Sequence, residues 1–145
     1  MVDAPRVLLA ELSGEALDVA AHLERVRSPA MGAVASFVGT VRDHSPDAAG
    51  EVVALEYSAH PDAAATLAAI AERVASEFDG VRLAVSHRVG VLAVGDVAIV
   101  AAAADAHRGA AFEACRAVVE AIKAELPVWK KQVLADGSHT WVGSL

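Results

Sequence analysis

The stretch V-R-L-A-V-S-H-R-V-G-V-L-A-V-G-D-V-A-I-V-A-A-A-A, Val81 to Ala104, decides the fold. Val81 to Val89 reads as a strand, with Leu83, Val85, His87 and Val89 on one face, and Asp96 to Ala104 reads as another. Gly90 to Gly95 connects them. No helix lies between the two strands, which favours antiparallel pairing over a parallel crossover. Upstream, Pro61 suits the first turn of a helix running to about Phe78, with Leu67, Ile70, Val74 and Phe78 on one stripe and Asp79-Gly80 as its stop. Downstream, His107-Arg108-Gly109 leads into a helix whose stripe is Ala111, Cys115, Val118 and Ile122, and Pro127 closes it. Val128 to Leu134 and His139 to Val142 are two short strands around an Asp136-Gly137 turn.

Towards the N-terminus, Arg6 to Leu12 and Gly32 to Arg42 read as strands. Between them a helix starts at Ser13-Gly14-Glu15, with Ser13 as its cap, and carries Val19, Ala20, Leu23 and Val26. His44 to Gly50 is a polar loop, and the alternation from Val52 to Ala59 marks a strand. The order is β-α-β-β-α-β-β-α-β-β. The class is α+β, three helices packed on an antiparallel or mixed sheet, in one domain spanning 1–145.

Composition narrows the function classes. Of 145 residues 55% are hydrophobic and 21% charged, enough to build a core and to exclude a disordered linker. Aromatics are only 4%, so the core is made of small, closely approaching elements. A single cysteine excludes a disulfide framework and multi-cysteine metal sites, and the scattered histidines lack metal-ligand spacing; neither metal nor cofactor is expected. The longest apolar run, Val97 to Ala104, falls far short of the ~20 residues that span a bilayer, and no signal peptide is visible. A cytoplasmic protein, away from membranes, is expected. The formal charge of −7 argues against nucleic acid as a partner.

The cations are unevenly distributed. Nine are arginines and three are lysines, and the lysines Lys123, Lys130 and Lys131 share one short stretch. Lysine can lose its proton when desolvated whereas arginine effectively cannot, so this cluster is a hint of chemistry. Lys123 sits in the last turn of the third helix, Pro127 turns the chain, and Lys130 emerges on the next strand, where both amines can reach one pocket. The plain alternatives are a cation favoured by a helix C-terminus, typically about 0.3–1 kcal/mol, and an edge strand guarded by charge. Since strand side chains alternate, only one of Lys130 and Lys131 can share a pocket with Lys123. His107-Arg108 before a helix makes either an anion site or a cap with a surface ion pair. Arg42, ending a buried strand before Asp43-His44, is an anion clamp or an exposed strand end. His87 reads as a core histidine, and Cys115 as a core thiol.

Four segments, G-A-V-A-S-F-V-G-T-V-R (Gly32 to Arg42), S-H-R-V-G (Ser86 to Gly90), A-H-R-G-A-A-F-E-A (Ala106 to Ala114) and K-A-E-L-P-V-W-K-K (Lys123 to Lys131), occur in an order that resembles the catalytic subunit family of molybdopterin synthase. The closing D-G-S-H-T-W-V also fits. The resemblance implies an α/β-hammerhead-type fold and a sulfurtransferase. In that reaction a small ubiquitin-like sulfur-carrier subunit inserts its Gly-Gly thiocarboxylate tail, and two sulfurs pass to cyclic pyranopterin monophosphate. It further implies a homodimer within a heterotetramer. By resemblance Lys123 and Lys130 are catalytic, and Thr40, Val41, Arg42, His107, Arg108, Lys131 and Gln132 join them in binding substrate. Gln132 stands where many members carry glutamate, and Ser58 where an acidic residue is frequent.

The alternative is a non-catalytic homologue that binds a ubiquitin-like carrier or an anionic ligand. Lys123, Lys130, Arg42 and the His-Arg pair argue against it. A phosphate-ester hydrolase would need a nucleophile or metal site that the sequence does not offer.

Overall fold

A computed structural model describes residues 6–46 and 48–142. The elements are β1 (Val7–Ser13), α1 (Val19–Val26), β2 (Ala33–Thr40), β3 (Val52–Ala59), α2 (Ala63–Ser76), β4 (Arg82–Arg88), β5 (Gly90–Ala93), β6 (Val97–Asp105), α3 (Arg108–Glu125), β7 (Val128–Leu134) and β8 (His139–Val142). They build two four-stranded sheets, in the orders β1-β4-β6-β2 and β5-β3-β7-β8. Only β1 and β4 run parallel; the other pairings are antiparallel. No helix among the described residues is long and apolar enough to cross a membrane.

The α+β class and the three helices match the sequence reading, but the expected single sheet is two. The split begins after β2. There Val41 is tied to the turn between β5 and β6, donating its N–H to Asp96 O at 2.9 Å and accepting from Gly95 N at 2.7 Å. With its backbone held at that turn, the chain leaves the first sheet and re-enters as β3 in the second.

Small side chains hold the first sheet between helices. Ala101 to Ala104 of β6 are fully buried, with nothing larger than a methyl on either face. Ala102 and Ala104 pack with Val26 of α1 on one side. On the other, Ala101 and Ala103 join the main core with Leu67 and Ile70 of α2 and Val118 and Ile122 of α3. Cys115 is buried in that core, and burial pushes its thiol pKa up, as suits a structural cysteine.

Two boundaries differ from expectation. The first helix begins at Val19, not near Ser13, and its cap is Asp18, whose Oδ1 accepts from Ala21 N at 3.1 Å. Ser13 instead ends β1, and its Oγ accepts from Glu15 N, a local turn that competes with helix initiation. His22 occupies the inward face of α1, donating from Nδ1 to Asp18 O at 2.6 Å and accepting at Nε2 from the Ser86 hydroxyl at 2.6 Å. The second difference is β5, which the sequence offered only as a connection. Gly90 takes φ +95°, a left-handed conformation that side chains disfavour. That turn lets the chain pass from β4 directly into a strand pairing with β3.

Gly32 admits no side chain. A Cβ there would lie 2.5 Å from the Ala106 carbonyl oxygen, while Gly32 N donates to Asp105 O at 3.1 Å. Gly32→Ala is therefore expected to destabilise the fold by about 1–3 kcal/mol, the range for an overpacked site, read as a lower urea midpoint at unchanged slope.

Candidate active site

A cavity of about 290 Å³ opens where the two sheets meet the C-terminal end of α3. Each wall follows from local structure. Strand β2 and the segment after it contribute Thr40, Arg42 and His44, β3 contributes Leu55 and Tyr57, β4 contributes His87, α3 contributes Lys123, and β7 contributes Lys130 and Gln132. In the β3–β7 ladder Tyr57 stands opposite Lys130 and Leu55 opposite Gln132, so alternation brings these four to the same face.

The exit of α3 sets the distance between the lysines. Leu126 caps the helix, donating its N–H to Ile122 O at 2.9 Å. Pro127 then accepts from His60 N at 3.0 Å, while Leu126 and Val128 on either side are buried. The bend is thus anchored to the end of β3, and Lys123 and Lys130 line one cavity.

The cavity is electrostatically one-sided. Among the described residues its lining holds three basic side chains, Arg42, Lys123 and Lys130, and no aspartate or glutamate, in a chain whose net charge is −7. Neither Arg42 nor Lys123 forms an ion pair with a described residue. Such a hollow attracts anions, and low-dielectric walls strengthen the field. Gln132 is 2% exposed, and its Oε1 accepts no hydrogen bond within the described chain. An orphan buried carbonyl costs about 1–3 kcal/mol, so a ligand N–H offered to it would be favoured.

His87 is the residue whose place in this wall the sequence did not reveal. It is buried, as expected of a core histidine, but its ring also lines the cavity and stands edge-on to Tyr57 at 5.0 Å. Its Nδ1–H donates to Arg88 O at 2.7 Å, which fixes the tautomer. Burial is the main force holding its pKa below 6.5; the Arg88 carbonyl opposes this and the charge of Lys123 adds to it. Burial also pushes the Tyr57 phenol above 10, so both rings stay neutral at physiological pH. The available signal was His87's position on a strand that leads into a glycine turn.

Of the nine residues singled out from the sequence, Thr40, Arg42, Lys123, Lys130 and Gln132 line this cavity and four lie elsewhere. Val41 is 3% exposed in the main core. Lys131 lies on the opposite face of β7, paired with Glu56 at 3.1 Å and 5.5 Å from the Trp141 ring, as strand alternation requires. His107 and Arg108 stand at the N-terminus of α3, about 22 Å along the helix axis from Lys123 at 1.5 Å per residue.

The depressed pKa of His87 has a consequence for stability. The unfolded chain takes up a proton near pH 6.5 and the folded chain resists it, so stability is complete above that pH and falls as pH drops below it. His87→Gln is expected to flatten that acid limb, measured as urea midpoints between pH 5 and pH 8.

Known proteins share this architecture. The family model described as MoaE protein matches residues 12–125. A relative from Mycobacterium tuberculosis, named molybdopterin synthase catalytic subunit 1, is 41% identical over 133 residues, covering 91% of this chain and 88% of that one. The Bacillus subtilis protein named molybdopterin synthase catalytic subunit is 38% identical over 122 residues, covering 83% and 76%. A crystal structure of molybdopterin synthase from Staphylococcus aureus superposes with a TM-score of 0.85 at 30% identity, covering 92% of this chain and 96% of that one. With matches of this extent in sequence and in fold, the chain belongs to the MoaE protein family.

Proposed function

We propose that this chain is the catalytic subunit of a molybdopterin synthase. It takes sulfur from the C-terminal thiocarboxylate of a small ubiquitin-like carrier and passes it to cyclic pyranopterin monophosphate. The observation that carries the reading is the cavity lined by Arg42, Lys123 and Lys130, with no carboxylate among its described lining residues. Both reactants are anionic, one through its thiocarboxylate and the other through its cyclic phosphate, and an acidic chain that gathers three basic side chains in one hollow has a place for them.

The residues divide the work by their chemistry. Lys123 serves as the acid–base group, protonating leaving groups as sulfur attacks carbon. It is exposed in the single chain, so the carrier tail and the pterin themselves supply the desolvation that such a role requires. Lys130 and Arg42 hold the phosphate and the charge that develops in the transition state. Gln132, with its unpartnered carbonyl, accepts from an N–H of the pterin. His107 and Arg108 are too far from this cavity to act within one chain, so in this reading they reach the cavity of a second copy in a homodimer that carries one carrier at each end. The reaction takes place in the cytoplasm.

The test is product formation. Purified chain, thiocarboxylated carrier and the cyclic pterin should yield the dithiolene product. Lys123→Ala should lower the rate by about 100-fold or more, the usual scale of a lost acid–base group. Full product formation by Lys123→Ala overturns the assignment. Gln132→Leu removes the orphan carbonyl, so thermal stability should stay within about 1 kcal/mol of the parent or exceed it, while KM for the pterin rises.

A further inference from the structure

One cavity residue and its neighbour have been given no role above. His44 lines the cavity from the segment after β2, and its Nδ1 lies 2.9 Å from the Asp43 carboxylate. We propose that His44, oriented by Asp43, is the general base that frees the carrier from the sulfur it has just delivered. The inference rests on the sulfur-transfer reading above and adds a residue and a step to it.

Bond accounting requires such a step. A thiocarboxylate sulfur that bonds to a substrate carbon is still bonded to the carrier's acyl carbon, so carrier and pterin are joined as a thioester. Water must then add to that acyl carbon. One water proton passes to Nε2 of His44 as the new C–O bond forms. The tetrahedral adduct collapses, and the C–S bond breaks with its electron pair staying on sulfur. The carrier leaves as a carboxylic acid, and the pterin thiolate takes the proton from His44. The sum is one thioester and one water giving one acid and one thiol, with no oxidant or reductant.

The geometry selects His44 for this work. A base for water near neutral pH is best an imidazole. Two imidazoles line the cavity, and they differ in access to water. His87 is 2% exposed with its Nδ1 committed to a backbone carbonyl, whereas the His44 side chain is 74% exposed at the mouth. The Asp43 hydrogen bond occupies Nδ1 and leaves Nε2 as the exchanging nitrogen, the arrangement by which a carboxylate orients a histidine base. The same bond holds the Asp43 carboxyl below its usual range, so it stays ionised to support an imidazolium. Among the described residues the other titratable or charged groups of the cavity wall are Arg42, Tyr57 of β3, His87 of β4, Lys123 of α3 and Lys130 of β7.

The experiment is a single turnover with thiocarboxylated carrier and cyclic pterin, followed by mass spectrometry of the carrier. In His44→Gly the carrier–pterin thioester should form at the parent rate and break down about 100-fold more slowly, so that it accumulates; added imidazole should restore its breakdown. Asp43→Asn should accumulate the same conjugate to a lesser degree, about 10-fold slower than the parent. His44→Gln, which keeps the bulk of the side chain, should behave as His44→Gly does without imidazole. Conjugate that never accumulates in either His44 variant, with product released at the parent rate, overturns the inference alone. A parent protein that forms neither conjugate nor product overturns the sulfur-transfer reading and this step with it.

Discussion

The edge-on contact between His87 and Tyr57 is the seam on which the site depends. His87 belongs to the first sheet and Tyr57 to the second, and their rings meet at 5.0 Å in the wall of the cavity. Neither ring can ionise cheaply where it stands, because burial disfavours imidazolium and phenolate alike. The seam is therefore uncharged, and the positive character of the hollow is left to Arg42, Lys123 and Lys130. A charged histidine here would add a fourth like charge beside Lys123. The fold prevents it by burial, which outweighs the opposing pull of the Arg88 carbonyl on Nδ1–H, and the charge of Lys123 adds to the effect.

Around that seam, backbone hydrogen bonds do the positioning. The Pro127 carbonyl bound by His60 N joins the end of α3 to the end of β3, and the β3–β7 register then places Lys130 beside Tyr57. The Val41 bonds to Gly95 and Asp96 do the same on the other side, turning the chain so that Arg42 and His44 reach the mouth. The charged side chains are carried on main chain that hydrogen bonds hold close to each of them, Lys123 one turn before the Leu126 cap and Arg42 next to the Val41 bonds. A site built in this way needs little from side-chain packing near the cations themselves, which explains how Lys123 remains exposed while its position is set.

Much of this was legible in the sequence, for identifiable reasons. The apolar stripes of α2 and α3 and the alternation of β3 and β7 are strong periodic signals, and they give element type directly. The proline after Lys123 announced the bend that brings Lys123 and Lys130 to one cavity. Strand alternation already separated Lys130 from Lys131, and the Glu56 pair of Lys131 on the far face follows from it. What stayed hidden was pairing at a distance. No local pattern says that Val91 and Leu92 add a strand to β3 when the chain could have looped, or that β2 and β3 lie in different sheets. Ser13 and Asp18 are both good cap residues, so the sequence leaves the start of α1 open; in the fold Ser13 is engaged in a local turn with Glu15 and Asp18 caps the helix. His107 and Arg108 were grouped with the lysines by family likeness, and the length of α3 keeps them apart in one chain.

Val89 alone separates β4 in the first sheet from β5 in the second. A one-residue tether leaves the two layers little slack at that edge, since the two peptides from Arg88 to Gly90 span at most ~7.6 Å between α-carbons. The aperture is thus set by covalent geometry on that side. The opposite rim is carried by Thr40, Arg42 and His44, so a guest meets basic and imidazole groups facing a boundary of constant width.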